Sequence, residues 1–346
     1  MSTPLTIGIL GAGPVTQAIH LPTLAQMPEL WRVGKVMDVN PQVADIVAAR
    51  CGAEGVTDAA AVIEDPSIDA VAICSPHVFH AEQLIAAARA GKRAALVEKP
   101  LAVSRAQAEE VGRIVAESGM TVLVGTMHWY DPGFRAGLAA WEAEGAPATR
   151  IRSAIFVPPN AQFVNAATEE AFPSPPPPAA PPAEQPPEFQ RERLRQTILG
   201  LAIHHVPLLR RFYPELGEVV EARRHPPFGY SVLMRRGDQI AELLAVMPGQ
   251  WPPSWSFEAA NAERRLNVDF GPSYISAGSG RATLSDARGS RGFSHADNGY
   301  AAQWRHLHDV VTRGVPLDTP FDVAVEDLAF ALDLADAAAR VMEIVE

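Results

Sequence analysis

The stretch Leu5-Thr-Ile-Gly-Ile-Leu-Gly-Ala-Gly-Pro-Val-Thr16 decides the fold. Its first six residues form an apolar run of strand length, Gly11-Ala-Gly13 interrupts it, and a helix-like pattern runs from Pro14 to about Met27. Strand, glycine turn and helix in that order let a pyrophosphate sit against the free amides of a helix N-terminus. Gly11 permits the tight turn and Gly13 a close backbone approach. Pro14 is acceptable in a first helical turn, where its N–H would be unpaired anyway. Val15 completes the turn, and Thr16 stands where Gly or Ala is usual, which predicts a slightly looser contact of helix on strand.

Outward from this stretch, Trp31–Met37, Ala70–Cys74, Ala94–Val97 and Thr121–Val124 read as further strands. Between them lie helical patterns, including Val78–Ala90 and a segment opened by the capping box Ser104-Arg-Ala-Gln107 and closed near Gly119. Strands separated by helices of this length predict a parallel, doubly wound sheet of Rossmann type over residues 1–127. Asp38 closes the second strand, 27 residues after Gly11. A carboxylate there accepts hydrogen bonds from the adenosine ribose hydroxyls. Val39-Asn40 supplies no cation for a 2′-phosphate, so the expected cofactor is NAD, with NADP less favoured.

The texture changes after about residue 148, and residues 128–346 read as an α+β domain. Arg150–Val157, Tyr230–Arg235, Ile240–Met247, Ser256–Ala260 and Arg265–Phe270 alternate as antiparallel strands do. Helices are expected at about Arg191–Phe212, Ala301–Arg313 and Val325–Glu346. Before the first of these lies the segment 172–187, in which nine of 16 residues are proline. Such a segment neither pairs in a sheet nor forms a helix, so it reads as an extended polyproline II loop. A surface insertion, a lid and a partner-binding strap all remain open for it.

Composition removes several classes. The 29 cationic and 40 acidic residues leave a net charge of −11 and no dominant basic surface, which argues against nucleic-acid binding. Two cysteines, Cys51 and Cys74, are too few for a disulfide framework or a Cys-rich metal site. His306 and His308 lack a ligand cluster at metal spacing, and no metal is expected. The first 28 residues are uncharged, but glycines and prolines break them and no basic segment precedes them. No run approaches a membrane span, so a soluble, cytoplasmic protein without a membrane partner is expected.

Glu98-Lys99-Pro100 follows the strand Ala94–Val97 at its carboxyl end, the edge where open α/β sheets bind ligands. The proline fixes the local backbone, with a cis peptide one way of doing so. Lys99 then points at the nicotinamide and Glu98 helps hold it; an ordinary strand-end ion pair is the competing reading. The cations divide into 26 Arg and three Lys (Lys35, Lys92, Lys99), so a lysine at this edge suggests a need for an amine. An amine tunes its pKa and exchanges protons, whereas a guanidinium stays charged.

Leu5–Leu24, Ser75-Pro-His-Val-Phe-His-Ala-Glu82, Ala90–Leu101 and Gly125–Pro132 resemble the Gfo/Idh/MocA oxidoreductases, a family that includes glucose–fructose oxidoreductase and inositol dehydrogenases. The resemblance implies an N-terminal Rossmann domain and a C-terminal domain with a large, mostly antiparallel open sheet. It implies homodimers or homotetramers built on that sheet, and hydride transfer between a nicotinamide cofactor and a hydroxyl of a sugar or cyclitol. Ser75, Pro76 and His80 fall in the family's cofactor loop and join Gly11, Gly13, Pro14, Val15, Asp38, Glu98 and Lys99 as cofactor-site residues.

The family carries an Asp-x-x-x-His pattern beside the nicotinamide, and the matching stretch here is Ile198–Pro207. His204 falls on the histidine, Gly200 replaces the aspartate, and Pro207 stands where a further aspartate is frequent. A carboxylate one turn away would raise the imidazole pKa, so its loss leaves His204 less basic. Gln196 is the candidate polar partner on the same helical face, and Pro207 is expected to kink the helix. His205 points about 100° away around the helix. With His128 and Tyr130 after the last N-terminal strand, Gln196 and His205 are candidate substrate contacts. Interdomain packing is an equal reading for His128 and Tyr130. The expected reaction has Lys99 and His204 as proton-transfer groups for a small secondary alcohol or ketone. The alternatives are an imine or enone reductase, a redox-neutral enzyme with retained NAD, and a catalytically silent NAD-binding subunit.

Overall fold

The structure, a computed structural model, describes residues 3–158, 186–248, 252–274 and 277–343. Residues 172–185 of the proline-rich segment lie outside the described residues. The chain divides into two compact units, Met1–Tyr130 with Asp297–Leu328, and Asp131–Ala296 with Ala329–Glu346.

The first unit begins with β1 (Leu5–Leu10), a π-helical turn at Thr16–His20, and the short α1 (Leu21–Leu24). It continues through β2 (Trp31–Met37), α2 (Pro41–Cys51), β3 (Glu54–Val56), α3 (Ala60–Ile63), β4 (Ala70–Ile73) and α4 (His80–Arg89). β5 (Ala94–Glu98), α5 (Arg105–Ser118) and β6 (Thr121–Gly125) complete the alternation. All six strands are parallel in the order β3-β2-β1-β4-β5-β6, the doubly wound arrangement expected from the alternation of strand and helix. Helices on both faces explain why β1 reads as an unbroken apolar run: all six of its residues are buried. Leu10 pairs with Met37 on one side and Ile73 on the other, so β1, β2 and β4 end level. The order reverses between β1 and β4, and their carboxyl ends present Gly11, Asp38 and Ser75 at that switch point.

Local chemistry sets the helix ends. The Ser104 hydroxyl accepts from Gln107 N at 3.3 Å, and the Gln107 side chain accepts from Val103 N, one residue outside an ideal capping box. Asn40 caps α2 ahead of Pro41, and Gly52 and Gly119 terminate α2 and α5 with left-handed backbone.

The second unit opens with α6 (Pro132–Glu142), whose first turn is capped by Asp131, and β7 (Arg150–Phe156). Then come α7 (Pro187–Leu201), α8 (Val206–Phe212) and the strands β8 (Glu218–Arg224), β9 (Phe228–Arg236), β10 (Gln239–Met247), β11 (Ser254–Ala260), β12 (Arg264–Phe270), β13 (Arg281–Asp286) and β14 (Gly289–Phe293). They form one eight-stranded sheet in the order β14-β13-β12-β11-β7-β10-β9-β8, antiparallel except where β7 meets β10. The single helix expected over Arg191–Phe212 is broken: a 3₁₀ turn at Ala202–His204 separates α7 from α8. Pro207 sits in the first turn of α8, where its missing N–H costs no helical bond, and it could not have continued an α-helix through Ile203.

The chain closes with α9 (Gly299–Arg313), capped by Asn298, and α10 (Phe321–Val341). Helix α9 belongs to the first unit, although the linear reading placed everything after residue 127 in the second domain. Its Trp304 is completely buried and packs edge-on to Trp31 at 5.4 Å, while the Trp31 indole donates to the Trp304 carbonyl. Among the described residues no helix is long and apolar enough to cross a membrane.

Candidate active site

Gly11 has φ +95°, a conformation that side chains other than hydrogen rarely adopt, and a Cβ there would lie 2.7 Å from Ser75 N. The first turn therefore packs directly on the backbone of the loop after β4. Open space surrounds the position a Gly13 Cβ would take, which leaves room for a ligand to approach the main chain. Pro14 and Val15 lead into the π turn, and the Thr16 hydroxyl and Gln17 amide donate back to the carbonyls of Gly11 and Ala12. Asp38 is tied into the same turn: Oδ2 accepts from Ala12 N at 3.1 Å and Oδ1 from Asn40 N at 2.9 Å. The next residue, Val39, is 82% exposed and offers no cation. A glycine turn with open backbone and a carboxylate at the end of the second strand fit a dinucleotide's pyrophosphate and adenosine ribose.

Beside the Gly11 turn, Ser75 and Pro76 form the turn after β4, and the Ser75 hydroxyl donates to Gln83 Oε1 at 2.7 Å. His80 is buried at the start of α4. Its Nδ1 lies 2.7 Å from the Pro100 carbonyl and its Nε2 2.8 Å from the Ser75 carbonyl. The ring thereby joins the turn after β4 to the turn after β5. The Lys99–Pro100 peptide is cis.

Glu98 and Lys99 sit at the end of β5. Burial pushes the Lys99 amine below the ordinary lysine range, with Glu98 acting in the opposite direction. Among the described residues Lys99 Nζ has no ion-pair partner. The Glu98 carboxylate instead meets His20, with Oε1 2.9 Å from His20 Nε2. Burial alone would raise Glu98; the hydrogen bond and charge of His20, with Lys99 and His80, outweigh it and hold the group below the ordinary carboxylate range. His20 is completely buried, edge-on to Tyr300 and Trp304, and Trp304 Nε1 donates to its Nδ1 at 3.2 Å. Burial opposes a charge on His20, while Cys74 and Glu98 draw its pKa up to about 10. The indole N–H pulls the other way, because it needs a lone pair on Nδ1. In both charge states the hydrogen on Nε2 is the one shared with Glu98. Sequence reading missed His20, and its one signal was a histidine within an otherwise uncharged helical turn.

His128 and Tyr130 follow β6 and are both buried, and the Tyr130 ring lies 5.7 Å from that of His306. In the second unit, His204 is half-buried in the 3₁₀ turn with its ring edge-on to Trp255 at 5.0 Å. His205 lies in the core: Ser153 Oγ is 2.7 Å from its Nδ1, and Trp255, Phe257 and Phe270 surround the ring. Burial pushes its pKa down to about 3. Gln196 is exposed and bonded to Arg193 and Glu192, on α7 before the chain leaves α-helical geometry. At Gly200 a Cβ would come within 3.2 Å of the Phe228 ring, which fills the space beside it. The structure thus brings together Gly11, Asp38, Ser75, His80, Glu98 and Lys99 in the first unit, and His204, His205 and Gln196 belong to the second. Among the described residues no three His, Cys, Asp or Glu side chains are grouped to hold a metal.

The first unit is thus a Rossmann-type domain with a half-buried lysine at the carboxyl end of β5. Residues 5–126 match the sequence model of the Gfo/Idh/MocA oxidoreductase family, NAD-binding Rossmann fold. That match lies within the first unit. It is 32% identical over 134 residues to a dTDP-3,4-didehydro-2,6-dideoxy-α-D-glucose 3-reductase of Actinomadura kijaniata, covering 39% of this chain and 40% of that protein. It is 37% identical over 150 residues to an inositol 2-dehydrogenase of Paracoccus denitrificans, covering 41% and 43%. The chain therefore spans about 40% of the length of the curated relatives it matches. Over nearly the whole chain the fold is similar to two solved structures. One is the 3-ketoreductase KijD10 of A. kijaniata with NADP and TDP-benzene, at TM-score 0.73, 22% identity and 98% coverage of both chains. The other is the UDP-N-acetylglucosamine 3-dehydrogenase GnnA of Acidithiobacillus ferrooxidans, at TM-score 0.74 and 16% identity, covering 98% of this chain and 99% of that one.

Proposed function

We propose that this protein transfers hydride between a nicotinamide dinucleotide, preferably NAD, and a secondary alcohol or ketone of a sugar, cyclitol or related small polar molecule. The observation that carries this reading is Lys99: a half-buried amine whose pKa desolvation lowers, without an ion pair among the described residues, at the carboxyl edge of the parallel sheet. The bound dinucleotide supplies the hydride acceptor or donor. Lys99 Nζ accepts the hydroxyl proton during oxidation and returns it to the oxygen during reduction. Its lowered pKa increases the neutral fraction available near pH 7, which general-base work requires. The Gly11–Val15 turn, Asp38, and the Ser75–Pro76 turn pinned by His80 hold the dinucleotide. His204 is the proposed proton-transfer group of the second unit, and the family's preference for dimers or tetramers through the large sheet extends to this chain as part of the proposal.

The relatives' names favour sugar and cyclitol chemistry, so NADH consumption and NAD+ reduction over a panel of sugars, cyclitols and their keto forms test the activity. Lys99→Met is expected to lower kcat at least about a hundredfold with NAD affinity kept, the scale of a lost proton-transfer group. Full turnover in that variant refutes the assignment. The Phe228 ring beside Gly200 favours a second reading, because this chain has no room there for the family's aspartate without moving that ring. Reduction of an imine or enone, or a redox-neutral step on retained NAD, is compatible with that loss. Stoichiometric NADH release during turnover excludes the redox-neutral form.

A further inference from the structure

The immediate sequence neighbour of Lys99 is a carboxylate, yet the two side chains do not pair. Both Glu98 oxygens are engaged elsewhere. Oε1 lies 2.9 Å from His20 Nε2, and Oε2 accepts from the Lys99 backbone N–H at 3.3 Å. Gly125, opposite Glu98 in the β5–β6 pair, makes the space for this placement, since a Cβ there would lie 3.1–3.4 Å from the carboxylate atoms. The His20 ring is itself immobilised by the Trp304 N–H on Nδ1 and by edge-on contact with Tyr300 and Trp304 of α9. A π turn delivers His20 to this place, and such insertions recur where a helix must aim a side chain at a functional site.

We propose that His20 is a positioning residue: it holds the Glu98 carboxylate turned away from Lys99 Nζ and so keeps that amine free of an ion pair. An apolar residue of the same size would fill the space but could not hold Oε1, and the freed carboxylate would turn to the nearest cation. A carboxylate in contact with an ammonium raises its pKa by about 1–3 units, which would leave the amine charged and unable to accept a proton. The inference deepens the reading of Lys99 as the proton-transfer group and rests on it for its functional meaning. The ionisable groups around the cluster are His20 on the π turn, Cys74 after β4, His77 and His80 at the start of α4, and Glu98 beside Lys99 itself.

Amine acetylation tests this without substrate or cofactor. The full-length protein is pulsed with acetic anhydride across a pH series, and the modification of each lysine is read by mass spectrometry. The chain has three lysines, and two serve as internal controls: Lys35 is paired with Asp65, and Lys92 donates to the carbonyl of Ile68. In His20→Phe the Lys99 labelling rate at a fixed pH below its pKa is expected to fall about tenfold, the consequence of a rise of about one pKa unit. His20→Gln keeps an N–H donor near the Nε2 position and is expected to restore most of the wild-type rate. In a Glu98→Gln background His20→Phe is expected to have no effect, because no carboxylate remains to redirect. Gly125→Ala crowds the carboxylate while leaving His20 in place and is expected to slow Lys99 labelling in the same direction, which provides a test should His20→Phe fail to fold. An unchanged Lys99 curve in His20→Phe or Gly125→Ala, with control lysines as in wild type, overturns the proposal. So does an equal shift in His20→Phe and His20→Gln, or a shift that persists with Glu98→Gln. Full turnover by Lys99→Met would remove the catalytic reading while leaving the labelling result to stand or fall separately.

Discussion

Asp38→Asn isolates the charge at the end of β2 with little change in size. Two backbone N–H groups, of Ala12 and Asn40, now donate to the two carboxylate oxygens. The amide keeps one acceptor and turns an NH₂ toward the other donor. Two bonds to a charged acceptor, about 1.5–3 kcal/mol each, give way to one neutral bond of about 0.5–1.5 kcal/mol, so the free protein should lose about 2–5 kcal/mol, with partial exposure favouring the low end. The effect on cofactor choice is larger. Like charges about 4 Å apart repel by about 1 kcal/mol in water and about 4 kcal/mol at an effective dielectric of 20. Removing the carboxylate therefore relieves NADP of a repulsion of that order, while NAD loses a ribose acceptor. The NADH:NADPH ratio of dissociation constants should shift toward NADPH by about tenfold or more. Titrations of nicotinamide fluorescence on wild type and variant measure it, with melting curves for the stability term. A ratio that does not move, or a wild type that already prefers NADPH, refutes the role given to Asp38.

Gly11→Ala combines backbone strain at φ +95° with a Cβ 2.7 Å from Ser75 N and 2.8 Å from Ser75 Cα. Strain alone costs about 1–2 kcal/mol, and the Ser75 turn must also move; we expect a lower Tm and NADH binding weakened about tenfold or more, measured by thermal shift and titration. His205 predicts an acid-sensitive fold. Its pKa falls from 6.5 to about 3 on burial, so between those values the unfolded chain binds a proton that the folded one does not, and stability declines as pH falls from about 6.5 toward 3. The slope approaches about 1.4 kcal/mol per pH unit, or about 2 kcal/mol lost by pH 5. Urea unfolding at pH 7 and pH 5 measures this loss, and His205→Gln should reduce it; the same loss in that variant would assign the acid sensitivity elsewhere.

The first sheet was legible because each of its determinants is local. Buried parallel strands read as apolar runs, the turn at Gly11 declares itself by residue type, and Ser104 and Gly119 mark the ends of α5. The second unit was legible in its five alternating strands and less so at β8, β13 and β14, which carry many polar residues. The helix before them was read as continuous because apolar periodicity persists through Ala202–His204, where hydrogen bonding shortens to a 3₁₀ turn ahead of Pro207.

By itself the sequence determined a Rossmann-type domain, its glycine turn and the lysine at the carboxyl end of β5, since strand, turn and helix signals arise from neighbours a few residues apart. Tertiary structure decided what surrounds that lysine. His20 reaches Glu98 across 78 residues and Trp304 across 284, His205 proved to be core beside Ser153, and Phe228 occupies the space next to Gly200. Periodicity records which side of an element is buried, while the partner it is buried against comes from packing between elements distant in the chain.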